Sequence, residues 1–224
     1  MSLKQWPSNE RPREKLGRTG VQSLTDAELI ALLFGSGRKG KDAVAFSREV
    51  LTQSGGLQGL MGRSYSDLRG IRGLGPARVC LLLAAKEMVL RCLRQKAFRS
   101  NVICDPSAVL DYLDVSMGSQ KTETFRVLFL DRANQVKAER DLSIGTVDRA
   151  TVYPREVVKA ALEYYATAVL LVHNHPSGEV EPSTQDRELT QQVRRACATV
   201  DIEVLDHLII GGGTYYSFRE CGLL

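Results

Sequence analysis

Residues 166–186 read ATAVLLVHNHPSGEVEPSTQD, and the order of apolar run, histidines, turn and carboxylate in this stretch decides how the chain folds around it. The run Ala166 to Val172 has strand length and is rich in Val and Leu. It leads directly into His173-Asn174-His175, which holds two of the chain's three histidines. Side chains alternate across a strand, so a strand that continues to His175 carries both imidazoles on one side of its carboxyl end. Open α/β sheets bind ligands at that end. Pro176-Ser177-Gly178 forces a turn, and a helix is expected to start near Ser183 with Leu189, Val193 and Ala196 on its buried face. His-x-His and Asp186, in the first turn of that helix, can thus converge on one point.

Two neutral imidazoles and a carboxylate are an ordinary ligand set for catalytic zinc, with a fourth position left to water. Zinc lowers the pKa of that water to about 7, which makes hydroxide available at neutral pH. The expectation is one Zn2+ per chain, held by His173, His175 and Asp186, with no cysteine nearby to close the site into a structural one. Two plainer readings compete. A histidine pair at a strand end can be ordinary surface or core, and Ser183-x-x-Asp186 is also a helix capping box. A residue at a helix start can serve both purposes.

Outward from this stretch the texture differs between the two halves of the chain. Val127 to Leu130 and Ile202 to Ile210 also read as strands, alternating with helical segments near Ser107–Leu113, Pro154–Tyr165 and Ser183–Ala198. From Leu24 to about Arg94 the spacing is helical instead: Leu29, Leu32 and Leu33 share one face of a helix capped by Thr25, Val44 to Leu51 form a second, and Val79 to Leu93 a third. The expected fold is an all-α domain over residues 1–95, a polar linker (QKAFRSNVICDPS), and an α/β domain over 103–224. Apolar residues at 43% and charged residues at 25% suit a soluble globular protein, and no apolar run is long enough to cross a bilayer. The N-terminus carries no signal pattern, and the five cysteines form no close pair, so free thiols and a cytoplasmic location are expected.

The string HNHPSG-x-x-x-PS-x-x-D, with PREVVKAAL before it and LDHLIIG after it, resembles the JAMM (MPN+) metalloprotease signature and, within it, the bacterial RadC family. RPREKL, LTDAELIALLFGSG and LRGIRGLGPARV resemble that family's N-terminal region, so the likeness covers nearly the whole chain. The resemblance implies a cytidine-deaminase-like α/β/α sandwich from about residue 103. It also implies zinc ligation by His173, His175 and Asp186, oxyanion stabilisation by Ser183, and a general-base glutamate ahead of an apolar strand. Glu123, just before Phe125 and VLFLD, matches that glutamate best, with Glu139, Glu156 and Glu163 as rivals. The implied substrate is a protein or peptide amide or isopeptide bond. His207, in LDHLIIG, reads as a packed core histidine rather than a ligand, and Gly211-Gly212-Gly213 as a turn between strand ends.

Residues 1–100 hold 18 Lys and Arg against 8 Asp and Glu, and residues 101–224 hold 12 against 18, so the basic excess lies wholly in the first half. Such a module is expected to face a polyanion. The segment from Leu68 to Arg78 resembles the hairpin of a helix-hairpin-helix motif. In that reading Gly73 and Gly75 let backbone N–H groups approach a phosphate, while Arg69, Arg72 and Arg78 attract the DNA backbone, with Arg38, Lys39 and Lys41 extending the surface. A plain helix connector is the competing reading. The leading function is a zinc-dependent peptide or isopeptide hydrolase with a DNA-binding module linked to repair. The alternatives are a non-enzymatic DNA-associated protein and a nuclease or nucleobase hydrolase. Deamination is disfavoured because the chain has neither Pro-Cys-x-x-Cys nor His-x-Glu.

Overall fold

A computed structural model describes residues 5–144 and 152–224, and the chain divides into two compact units between Met88 and Val89. The first unit is helical: α1 (Pro12–Thr19), α2 (Asp26–Phe34), α3 (Ala43–Ser54), α4 (Gly56–Met61), α5 (Tyr65–Arg69) and the start of α6 (Pro76–Arg99). Thr25 and Glu28 close a reciprocal capping box on α2, which ends where Gly35 takes a left-handed conformation. The face that α2 buries is Ala27, Ile30, Ala31 and Phe34, whereas Leu33 is exposed. The leucine stripe expected from the sequence is therefore displaced by about one residue around the helix. Phe46 and Val50 of α3, with Leu60, Leu68 and Leu74, complete that core.

The second unit places a five-stranded mixed sheet between helices, which is the expected α/β/α sandwich. After α7 (Pro106–Met117) come β1 (Thr124–Leu130), β2 (Val136–Ile144), α8 (Pro154–Glu163), β3 (Ala168–Asn174), α9 (Thr184–Ala198), β4 (Glu203–Gly211) and β5 (Thr214–Ser217). The strand order is β2-β1-β3-β4-β5, and β3 and β4 are the parallel pair, joined through α9. Alternation decides which side chains meet which layer. Leu128, Leu130, Leu170 and Val172 pack with α7 and with Ala97 of α6. Val127, Phe129, Val169 and Leu171 pack with Val157 and Ala161 of α8 and Val193 and Cys197 of α9. Buried on both faces, β1 and β3 read as continuous apolar runs.

Three features depart from the sequence reading. Edge strand β2, VKAERDLSI, is charged because it pairs only with β1. Strand β5, four residues long, has no counterpart in the sequence reading, but the turn expected at Gly211-Gly212-Gly213 is there: Gly212 and Gly213, with φ of 58° and 76°, make a two-residue hairpin from β4. Helix α6 continues through Arg99, so the first part of the stretch read as a linker is helical, and Ala97 within it is fully buried in the second unit's core. The polar letters Arg94, Gln95 and Lys96 are the outer face of a helix whose inner face is Leu93 and Ala97. All five cysteines are free, and no helix among the described residues is long and apolar enough to cross a membrane. If residue 97 faces a packed core, Ala97→Glu should lower stability by at least ~3 kcal/mol through an unpaired buried charge. A denaturation midpoint equal to that of the wild type would restore the linker reading.

Candidate metal centre

The parity of β3 aims His173 at the α9 side of the sheet, and His175, two residues on, follows it. His173 is buried beneath the site and His175 is partly exposed. The turn after them is held by backbone contacts. His175 N–H donates to the Ile210 carbonyl, and Gly178 N–H donates back to the His175 carbonyl. Gly178 has φ of 86° and packs backbone to backbone on Gly211 and Gly212, where a Cβ on Gly211 would lie 3.2 Å from the Gly178 main chain. The turn then brings the Glu179 carbonyl 2.6 Å from His175 Nδ1. A carbonyl can only accept, so His175 carries a proton on Nδ1, and in the neutral ring Nε2 turns a lone pair toward His173.

Asp186 combines the two roles that the sequence left open. Ser183 caps α9, its Oγ accepting from Asp186 N–H, while Asp186 Oδ2 accepts from Ser183 N–H at 2.7 Å and from the Ser183 hydroxyl at 2.6 Å. The other oxygen, Oδ1, lies 3.3 Å from His173 Nε2. The capping box thus fixes the carboxylate and leaves half of it pointing at the imidazoles. His173 Nε2 and His175 Nε2 stand 2.9 Å apart, and one donor atom from each of the three residues falls within 4.8 Å of the others. Ligands of a tetrahedral zinc with bonds near 2.0–2.1 Å lie about 3.3 Å apart. The donors therefore match a small divalent cation in type, and the two spacings around His173 lie close to that value; His175 Nε2 is 3.7 Å from Asp186 Oδ2. Burial, together with the neighbouring His175, holds His173 down to about 4 against the opposing pull of Asp186, so the ring is a neutral donor at ordinary pH.

Glu123 sits one residue before β1, which pairs with β3 so that Phe125 faces His173. Burial raises the Glu123 carboxyl above its ordinary value, His175 opposes the rise and Asp186 adds to it, so the group feels both of those side chains. The rivals are elsewhere. Glu139 accepts from the Tyr112 hydroxyl at 2.7 Å and from Arg94 Nε at 2.8 Å; Glu163 pairs with Arg140, and Glu156 with Arg155.

Sequence reasoning passed over Asn174. Its buried side-chain oxygen accepts from Thr124 N–H at 2.9 Å, and its amide donates to the Thr122 carbonyl at 3.2 Å. The middle residue of His-Asn-His therefore clamps both neighbours of Glu123. A small polar residue between two site histidines, pointing to the opposite face of the strand, was the available signal. His207 is the packed core histidine that the sequence suggests, fully buried and outside the His173–His175–Asp186 group, but its Nε2 lies 2.8 Å from His173 Nδ1, a link the sequence does not show.

In the helical unit, Arg78 is spent on structure. It donates to the carbonyls of Gly73, Ser36 and Gly37 and lies over the rings of Phe34 and Phe46. Arg69 donates to the Leu74 carbonyl. Gly73 has φ of 96°, and a Cβ there would meet the Phe46 ring at 2.9 Å, so packing alone requires glycine. Gly75 has open space at that position. Arg38 and Lys41 both bind Glu49, which they hold at about 2. Arg72 is exposed, with no hydrogen bond or ion pair found among the described residues. Asn174→Ala would leave the buried Thr124 N–H unpaired, and the expected loss is ~1–3 kcal/mol in a urea titration. An unchanged midpoint would mean that the clamp carries no load.

A family model described as RadC-like JAB domain matches residues 103–223, and one described as UPF0758 N-terminal matches residues 3–80. A UPF0758 protein of Idiomarina loihiensis is 43% identical over 224 residues, covering all of both chains. One from Pseudomonas fluorescens is 45% identical over 224 residues, again all of both, and one from Shewanella loihica is 44% identical over 222 residues, 99% of each. With the family model spanning the whole sheet and the relatives aligning end to end, the chain belongs to the RadC-like JAB domain family, in the group of UPF0758 proteins.

Proposed function

We propose that the second unit is a zinc-dependent hydrolase of peptide or isopeptide bonds, with His173, His175 and Asp186 as the metal ligands. The observation that carries this reading is the meeting of Nε2, Nε2 and Oδ1 at 2.9–3.3 Å around His173, a cluster of electron-pair donors that suits a cation. When bound there, zinc supplies Lewis acidity and makes water a better proton donor. Glu123 takes the proton that water loses as it attacks the amide carbonyl. It then returns that proton to the leaving nitrogen, and its raised proton affinity favours the shuttle. Ser183 is the oxyanion donor of this reading. Its hydroxyl proton is now given to Asp186 Oδ2, so it must rotate toward the oxyanion as charge develops, while Ser183 N–H keeps its own bond to Asp186.

The full-length chain is expected to bind about one zinc, and His175→Ala or Asp186→Asn should abolish it. Full zinc content in both variants would remove the site as drawn. Glu123→Gln should keep the metal and reduce turnover ~10²–10⁴-fold. In cells that carry Glu123→Gln, a protein substrate should accumulate uncleaved relative to wild type; an identical proteome would argue against proteolysis.

A second reading concerns the basic helical unit, which we infer touches a nucleic-acid backbone and so places the hydrolase near DNA, in a repair setting. The exposed, uncommitted Arg72 supports it. Arg72→Glu should weaken binding to generic duplex DNA and lower the salt slope by about 1, whereas Arg78→Glu should act through lost stability. Equal binding by wild type and Arg72→Glu would leave the hairpin as a helix connector.

A further inference from the structure

His173 can serve as a ligand through Nε2 only if its proton sits on Nδ1, and a one-way chain of hydrogen bonds behind it determines this. The chain begins at the backbone carbonyl of Asp186, which can only accept. The Thr190 hydroxyl, 2.6 Å away, donates its single proton there. Thr190 Oγ1 is also 2.6 Å from His207 Nδ1, and with its proton already given it meets that nitrogen as an acceptor. His207 therefore holds its proton on Nδ1. In the neutral ring Nε2 carries the lone pair, and it faces His173 Nδ1 at 2.8 Å. His173 must then donate from Nδ1, and its Nε2 presents a lone pair to Asp186 and His175. The reverse order would place the Thr190 and Asp186 oxygens 2.6 Å apart with no proton between them.

The relay has little freedom to reverse. His207 is fully buried, and among the described residues its two ring nitrogens bond to Thr190 and His173 and to no carboxylate that would favour a cation. Phe218 stacks on it at 4.7 Å, and Phe125 packs against it edge-on at 5.6 Å while lying parallel to His173 at 6.1 Å. These rings oppose a flip of either imidazole. Three elements converge here: β3 brings His173, β4 brings His207, and α9 brings Thr190 four residues after Asp186, one turn along the same helix. The circuit closes on itself, since Asp186 supplies the carbonyl at its start and the carboxylate at its end.

We propose that Thr190 and His207 are positioning residues that fix the tautomer of His173, so that its Nε2 lone pair always faces the centre formed with His175 and Asp186. Neither residue touches the reacting atoms. The identity of the ion rests on the zinc reading above, but the direction of the relay does not. Outer partners of metal-bound histidines elsewhere work in this way, and their loss typically weakens metal affinity ~10–100-fold.

The test uses the full-length chain with three sequences: wild type, Thr190→Val, which fills the space without accepting a proton, and Thr190→Ser, which restores the hydroxyl. Long-range ¹H–¹⁵N spectra of the metal-free proteins, at mildly alkaline pH, read the tautomers directly. Competition with a chromophoric chelator reads the zinc affinity. His173 and His207 are expected as Nδ1–H tautomers in wild type and Thr190→Ser. In Thr190→Val, His207 should lose that signature and zinc affinity should fall ~10–100-fold, with Thr190→Ser close to wild type. An Nε2–H tautomer for His173 in the metal-free wild type would overturn the proposal with no variant needed. So would a folded Thr190→Val protein with unchanged tautomers and unchanged zinc affinity. Should wild type bind no zinc at all, the hydrolase reading falls, while Nδ1–H tautomers lost only in Thr190→Val would still support the relay.

Discussion

The parallel pairing of β3 with β4, closed through α9, is the constraint on which the rest of the molecule's second unit depends. A parallel pair needs a crossover, and here the crossover starts at the turn after His175 and ends where β4 begins. The same few residues that let the chain turn out of the sheet therefore lie beside the strand end. The helix that follows must cover the sheet face toward which His173 points. Its first turn cannot avoid the histidines, and its second turn cannot avoid β4. The position of Asp186 and Thr190 is thus a consequence of topology before it is one of chemistry.

Electrostatics then explains why so polar a cluster is tolerated under a sheet. Burial disfavours the charged form of both inner histidines, so the interior part is a set of neutral dipoles joined head to tail. Net charge is confined to the Asp186 carboxylate at the rim, which two donors from Ser183 already stabilise. A buried polar network of this kind is sound only when every member has a partner. Hydrogen bonding leaves two contacts unexplained, those of His173 Nε2 with His175 Nε2 and with Asp186 Oδ1, and both lie where a cation would be held.

How much of this was legible in the sequence depended on the range of the interaction. The His-x-His spacing, the following turn and the serine–aspartate cap are local, and strand and helix periodicity placed them without a structure. The runs at 127–130 and 166–172 were legible because both faces of those strands are covered. Strand β2 was not, since an edge position permits the charges of Lys137, Glu139 and Arg140. The α2 stripe was misread because leucines outnumber the smaller Ala27 and Ala31 that pack inward. The link of Thr190 and His207 to the site was hidden for a different reason. Each is unremarkable in its own segment, and only the register that sets Leu171 beside His207 joins them to His173. Arg78 carried a similar ambiguity, since a cation beside glycines reads as a phosphate contact until its carbonyl partners, some forty residues away, are known.

The double duty of Asp186 bears on how this protein can change over time. An amide at that position would keep an oxygen able to accept from Ser183 N–H, so α9 could start where it does now, yet the negative charge beside the imidazoles would be gone. Chemistry could then lapse while the scaffold persisted. Descendants with that change would differ from the present chain by a single nitrogen where a cation could be held, and their folded shape would not betray it.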